Sequence, residues 1–172
     1  NAGYGLSGAF DKYEPEEIDN MLHLNILTLV KMTRLFLPGL RNKPAAYILN
    51  IGSSAAYQAV PFLSAYAASK AFVLSFSRGL RAELAGGPVS VTCICPGPTD
   101  THFATRANLG ERGLKAAERF NMDPETVGQL AVSALFKKKA ELVTGGANKM
   151  SAFMAWLLPK SLVERVAKSL YE

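Results

Sequence analysis

The chain has 172 residues and a formal net charge of +5, the size of one domain and long enough to bury a core. Its composition is 49% hydrophobic and 19% charged, with 14 Gly and 9 Pro, which excludes a disordered, collagen-like or coiled-coil chain. No Lys/Arg run is interleaved with aromatic residues, so a nucleic-acid face is not expected, and an anionic small molecule suits the charge as well.

The chain starts Asn1-Ala2-Gly3-Tyr4-Gly5-Leu6, without an initiator Met or a preceding strand. That start reads as the end of a strand-to-helix connection in a longer fold. Residues 15–41 open with Pro15, Glu16 and Glu17, as a helix start does. They continue with Ile18, Met21, Leu22, Asn25, Ile26, Leu29, Met32, Leu35 and Phe36 at helical spacing. Residues 46–53 form a short apolar run bounded by turn formers, as expected of a buried parallel strand. A second helical pattern over 64–84 ends before Gly86-Gly87-Pro88, and residues 89–95 give a second buried strand stopped by Pro96-Gly97-Pro98.

Residues 99–122 are polar, with short helical potential, and longer than an ordinary connection; they are expected to form a substrate lid. Asp123 and Pro124 supply the cap and first residue of a helix running to about Lys138. A third strand is expected over 141–144, and the tail 148–172 is a hydrophobic extension with helical spacing on both sides of Pro159. The alternation of strands and helices predicts an α/β fold: one domain over 1–172, a doubly wound parallel-sheet Rossmann-like layer lacking its N-terminal part. Right-handed crossovers are expected. In such sheets, ligands bind beyond the carboxyl ends of the strands.

Cys93 and Cys95 lie two apart and share a strand face. Without a CxxC motif or a Cys/His set, they read as small core residues of a reducing compartment, hence a cytoplasmic location. His23 and His102 have no partner set at ligand spacing, so no metal is expected. No apolar run is long enough to span a bilayer.

The chemistry-bearing residues stand where the sheet rule puts them. Tyr66 and Lys70 are four apart on one helix and so share a face. A phenol titrates near 10, and an ammonium beside it is expected to pull that value toward the working range. Ser53 ends a strand thirteen residues before Tyr66, where its hydroxyl can bond the oxygen that Tyr66 protonates. Asn25 lies on the apolar stripe of the first helix, where an unpartnered amide would be costly; it is expected to anchor a water and the Lys70 side chain.

Asn25, Ser53, Tyr66 and Lys70, in this order and spacing, resemble the catalytic tetrad of the short-chain dehydrogenase/reductase family. Asn1-Ala2-Gly3 resembles the end of that family's Asn-Asn-Ala-Gly motif, and Pro96-Gly97-Pro98-Thr99-Asp100-Thr101 its Pro-Gly-x-x-x-Thr segment. The resemblance implies an oxidoreductase acting on a carbonyl or secondary alcohol. It makes Tyr66 the acid or base, with Lys70 lowering its pKa, Ser53 orienting the substrate and Asn25 supporting a proton relay. It implies NADP or NAD as cofactor, held by Asn1, Tyr66, Lys70, Pro96, Gly97, Thr99 and Thr101. It also implies a homodimer or homotetramer assembled through helices 15–41 and 64–85.

The family's Gly-rich phosphate turn is not in the sequence, nor is the residue that separates NAD from NADP; NADP is slightly favoured. The apolar tail suits a hydrophobic substrate, a dimer contact or loose membrane association. The competing reading is an inactive fragment serving as a binding or oligomerisation module. A serine hydrolase is disfavoured, because no Gly-x-Ser-x-Gly elbow is present. With strand 46–53 left as an open edge, the isolated chain is expected to aggregate.

Overall fold

The computed structural model describes residues 2–99, 103–107, 109–119 and 121–171. After an extended opening segment and a 3-10 turn at Phe10–Lys12, helix α1 spans Pro15–Leu22. Its start is a capping box: Glu14 is the N-cap, and its backbone N–H donates to the Glu17 carboxylate at 3.2 Å. The helix continues as α2, Leu29–Arg41, but between the two the coil widens to π-helical spacing over His23–Thr28. Apolar spacing predicted one unbroken α-helix. The wide turn leaves that pattern intact and buries Asn25, as such turns often do near functional sites.

Strand β1, Ala46–Ile51, is followed by a 3-10 turn at Ser54–Tyr57 and by helix α3, Ser64–Glu83. Strand β2, Val89–Cys95, leads to short helices α4, Phe103–Arg106, and α5, Glu111–Arg119. Helix α6, Pro124–Phe136, begins as expected: the Asp123 carboxylate accepts from Thr126 N at 2.7 Å. Strand β3, Glu141–Val143, precedes α7, Gly146–Leu157, and α8, Lys160–Tyr171, which break at Pro159 as the tail pattern predicted.

The described strands form one parallel sheet in the order β1-β2-β3. Its centre is β2, where Val91, Cys93, Ile94 and Cys95 are fully buried. Even-numbered positions of β1 face α3: Ala46 and Ile48 pack with Leu80, and Asn50 donates to Ser77 at 2.9 Å. The odd position Tyr47 meets Phe136 of α6, ring centroids 5.4 Å apart. Helices α3 and α6 therefore lie on opposite faces, while the chain steps across the sheet in one direction. The two crossovers are consequently of opposite hand, and the expectation that both are right-handed is corrected. With α2 and α3 already covering one face, α6 can bury apolar surface only on the other.

Cys93 and Cys95 do share a face, with sulfurs 3.9 Å apart under Val73 and Leu74. Tyr57 ties the turn after β1 to β3, its hydroxyl donating to the Glu141 carboxylate, which also meets Arg78 of α3 at 3.1 Å. No helix among the described residues is long and apolar enough to cross a membrane.

Candidate active site

The carboxyl ends of β1 and β2 are held together by backbone bonds. Gly52 N donates to Ile94 O, and Ser54 N to Pro96 O, each at 2.7 Å. Ser53, two residues beyond β1, is thereby fixed beside the first turns of α3. Its hydroxyl accepts from Ala55 N at 3.1 Å and lies within hydrogen-bonding reach of the Tyr66 phenol.

Tyr66 is 8% exposed and packs among Met21, Val60, Leu63 and Ala67. Phe103 of α4 closes over it with ring centroids 5.1 Å apart. One turn on, Lys70 reaches back with its ammonium 5.9 Å from the centre of the Tyr66 ring and donates to Ile51 O at 2.9 Å. The structure thus brings Ser53, Tyr66 and Lys70 together at one strand end.

Asn25 joins them through bonds of its own. Its Oδ1 accepts from Tyr4 N at 3.2 Å, and its Nδ2 donates to Tyr4 O at 2.9 Å and to Ser69 Oγ at 3.1 Å. Ser69 in turn donates to Tyr66 O at 2.7 Å. The amide therefore clamps the opening segment to α3 between Tyr66 and Lys70. Gly3 fits between amide and ammonium: a β-carbon there would stand 2.9 Å from Asn25 Oδ1 and 3.6 Å from Lys70 Nζ. Asn25 is expected to anchor a water and the Lys70 side chain; among the described residues its amide bonds Tyr4 and Ser69, while Lys70 donates to Ile51 O.

Pro96, Gly97 and Thr99 follow β2 at the same end of the sheet. Thr99 Oγ1 donates to Gly97 O at 3.1 Å, and Met122 N donates to Pro98 O at 3.1 Å. The Asn148 amide of α7 seats against Gly97, where a β-carbon would come within 2.0 Å of its nitrogen. Asn1 and Thr101 lie outside the described residues, as does His102.

Electrostatics departs from the expectation that Lys70 pulls the phenol down. Burial pushes the Tyr66 phenol up to about 12; the Ser53 hydrogen bond lowers it only in part, and Tyr171 of α8 raises it further. Burial also lowers the Lys70 ammonium. Desolvation is the dominant influence on both groups.

This arrangement has a consequence for stability. Tyr13, Tyr57, Tyr66 and Tyr171 are all held above the ordinary phenol value, chiefly by burial. Each binds its proton more tightly folded than unfolded, so its contribution is complete below about pH 10 and is lost as pH rises past it. For Tyr66 alone, the loss is about 2 kcal/mol near pH 12. Lys70 acts in the opposite sense, since its folded form gives up the proton first, and its effect is complete by about pH 10.5. The urea midpoint is expected to fall steeply between about pH 10 and 12, and to fall less in Tyr66→Phe. An unchanged midpoint across that range would contradict these burials.

Residues that sequence reasoning missed are Tyr4, Ser69, Phe103, Tyr171 and Asn148. Ser69 stood three positions from Tyr66 on the same face and was legible in principle. The others meet the site only through long-range folding.

Known proteins share this construction. Residues 1–112 match the profile of the short chain dehydrogenase family. The chain is 31% identical over 144 residues to the ketoacyl reductase HetN of Nostoc sp., covering 83% of this chain and 49% of that protein. It is 33% identical over 176 residues to the putative oxidoreductase SadH of Mycobacterium tuberculosis, covering 97% and 64%. Thus the chain spans from about half to just under two thirds of the length of these relatives. Among solved structures, it superposes on a short chain dehydrogenase of Burkholderia cenocepacia in complex with NADP. The TM-score is 0.79 at 27% identity, over 96% of this chain and 66% of that one. A 7beta-hydroxysteroid dehydrogenase structure gives a TM-score of 0.81 at 23% identity, over 97% and 64%, a likeness of fold. The profile covers the opening segment, the clamp of Asn25, both strand ends and the helix of Tyr66 and Lys70, and on that match the chain belongs to the short-chain dehydrogenase/reductase family.

Proposed function

We propose that the protein interconverts a ketone and a secondary alcohol using NADP or NAD, with Tyr66 moving the proton. The observation that carries this reading is the buried Tyr66 phenol at the carboxyl end of the sheet, with the Ser53 hydroxyl in reach and the Lys70 ammonium behind the ring. A phenol held at about 12 is a neutral proton donor throughout the physiological range, the form that carbonyl reduction needs. Ser53 orients and polarises the substrate oxygen. Lys70 holds the phenol's surroundings positive, and Asn25 is a positioning residue acting through Ser69.

A nicotinamide dinucleotide would supply the hydride. The residues present fit it. An ammonium has three donors, and Lys70 spends one on Ile51 O among the described residues, leaving two for sugar hydroxyls. The turn Pro96–Thr99 lies beyond β2 and, with Thr101, is assigned to the nicotinamide end, while Asn1 is assigned to the adenine-side ribose or to support of the sheet. That the Burkholderia cenocepacia structure was solved with NADP supports the cofactor class.

Residues 1–172 are read as one domain, with 148–172 as its hydrophobic extension, and the location as cytoplasmic. Exposed Leu35 and Phe36 of α2 and Phe72 of α3 support self-association through these helices.

The experiment is a deuteride transfer. The intact natural protein is given NADPH deuterated at its transferable position and a panel of ketones, and the alcohols are analysed by mass spectrometry. Label on the carbinol carbon is expected. Alcohol formed without label, or no alcohol from any ketone with either cofactor, overturns the reading.

A further inference from the structure

The turn Pro96–Thr99 has its first three backbone oxygens taken up by the protein. Ser54 N donates to Pro96 O at 2.7 Å, Thr99 Oγ1 to Gly97 O at 3.1 Å and Met122 N to Pro98 O at 3.1 Å. Pro96 and Pro98 also have φ fixed by their rings. The first of these bonds ties the turn to the residue that follows Ser53. The turn therefore has little freedom of its own, and whatever stands against it sets where it lies.

What stands against it is Asn148, in the first turn of α7. Its amide covers Gly97: a β-carbon there would come 2.0 Å from Nδ2, 2.3 Å from Cγ and 2.4 Å from Oδ1. Gly97 does not hold a positive φ, so it is this close approach, and not the backbone angle, that requires a glycine.

The amide is held in its turn. Its Nδ2 donates to Thr144 O at 2.9 Å, and Thr144 N donates to Cys95 O at 3.3 Å, one residue before the turn begins. At Gly145, whose φ is +79, a β-carbon would stand 3.0 Å from Asn148 Nδ2 and 3.2 Å from the Met122 sulfur. The ends of β2 and β3 and the start of α7 thus meet around one side chain. Helix α7 also packs on the 3-10 turn Ser54–Tyr57, so the same helix supports the chain just beyond Ser53.

We propose that Asn148 is a positioning residue that sets the Pro96–Thr99 turn against the nicotinamide end of the cofactor, acting as a unit with Gly97. The proposal rests on the reading of that turn as the nicotinamide site, and it adds a residue of the 148–172 extension to that site. Asn148 acts through the turn and need not touch the cofactor. Without the amide, the turn gains room to move toward α7, and the Thr144 carbonyl loses a donor. With a β-carbon on Gly97, turn and amide cannot both keep their places.

Cofactor binding to the intact natural protein, measured by titration calorimetry, separates this role from a general structural one. The probes are NADP and phospho-ADP-ribose, its fragment without the nicotinamide, or NAD and ADP-ribose where the parent protein prefers NAD. Asn148→Ala is expected to raise the dinucleotide Kd about three- to tenfold, the scale of one lost hydrogen bond. It should leave the Kd of the fragment unchanged. Gly97→Ala is expected to raise the dinucleotide Kd about tenfold or more by overpacking. In Gly97→Ala/Asn148→Ala the added methyl enters the space left by the amide, and the Kd should return to within about threefold of the parent. Melting curves of the four proteins establish folding. Should Gly97→Ala alone not fold, recovery of the fold in the double variant reads the contact, and Asn148→Ala carries the binding test.

A loss of affinity confined to the dinucleotide, and reversed in the double variant, supports the proposal whether or not any ketone is reduced. A failed deuteride transfer alongside that result overturns the reductase reading alone. Equal weakening of both probes, or of neither, overturns the proposal and leaves that reading standing. A parent protein that binds no dinucleotide overturns both.

Discussion

Tyr66→Phe is expected to lower kcat for ketone reduction by roughly two to four orders of magnitude, the range that a positioned general acid contributes. The fold should survive. The phenyl ring keeps its place among Met21, Val60, Leu63 and Ala67 and against Phe103, and only a hydroxyl that was desolvated in the first place is removed. Ser53 loses a neighbour but keeps its bond from Ala55 N, so it remains a donor to the substrate oxygen. The loss should therefore fall on kcat, with KM for cofactor and ketone changing little. Stopped-flow or steady-state assays at pH 7 and at pH 9 check this, alongside a melting curve to establish folding. Turnover within a few-fold of the parent protein would remove Tyr66 from the proton transfer.

The pH dependence sharpens the same point. A phenol near 12 gives up its proton readily only to a strongly basic oxygen, such as the one developing on a carbonyl that is accepting hydride. In the reverse direction, the alcohol needs the phenolate, whose population rises about tenfold per pH unit below the pKa. Oxidation is expected to speed up with pH where reduction does not.

How much of this was legible in the sequence follows from where each residue sits. Tyr66 and Lys70 were legible because four residues of helix fix their relative position. Ser53, Pro96, Gly97 and Thr99 were legible because strand ends in a parallel sheet converge on one edge. Chain length and periodicity gave no sign of the face on which α6 would lie, since an apolar stripe packs equally well on either side; hence the hand of one crossover was misjudged. The sign of the Tyr66 shift was misjudged for a related reason. Spacing shows that an ammonium is near, but not that the phenol is desolvated among Met21, Leu63 and the closing Phe103, nor that the ammonium is buried as well. Tyr171 is 105 positions from Tyr66, and no local pattern joins them. The π-helical turn was hidden as well, because it keeps the apolar stripe continuous while turning Asn25 inward.

Asn25→Ala is the second change of large expected effect, and it separates positioning from chemistry. The amide is 3% exposed and makes three hydrogen bonds, two to the Tyr4 backbone and one to Ser69. Removing it leaves the Tyr4 N–H and C=O and one side of Ser69 without their partner in a buried setting, where each unsatisfied group costs about 1–3 kcal/mol. Some of that is recovered by entering water, so a net loss of about 3 kcal/mol is expected. Ser69→Ala should cost less, about 1 kcal/mol, since Asn25 would keep both bonds to Tyr4. The two changes share the Asn25–Ser69 bond, so the double variant is expected to lose less than the sum, by about 0.5 kcal/mol or more. Urea unfolding of the four proteins measures that coupling directly. Activity should track it: because Ser69 holds the backbone of Tyr66 itself, breaking the clamp displaces the phenol, and kcat should fall in both single variants even under conditions where each is fully folded. Additive stabilities with unchanged kcat would mean that Asn25 only fastens the opening segment to the helix. Coupled stabilities with a reduced kcat would mean that the clamp is what keeps the proton donor in place.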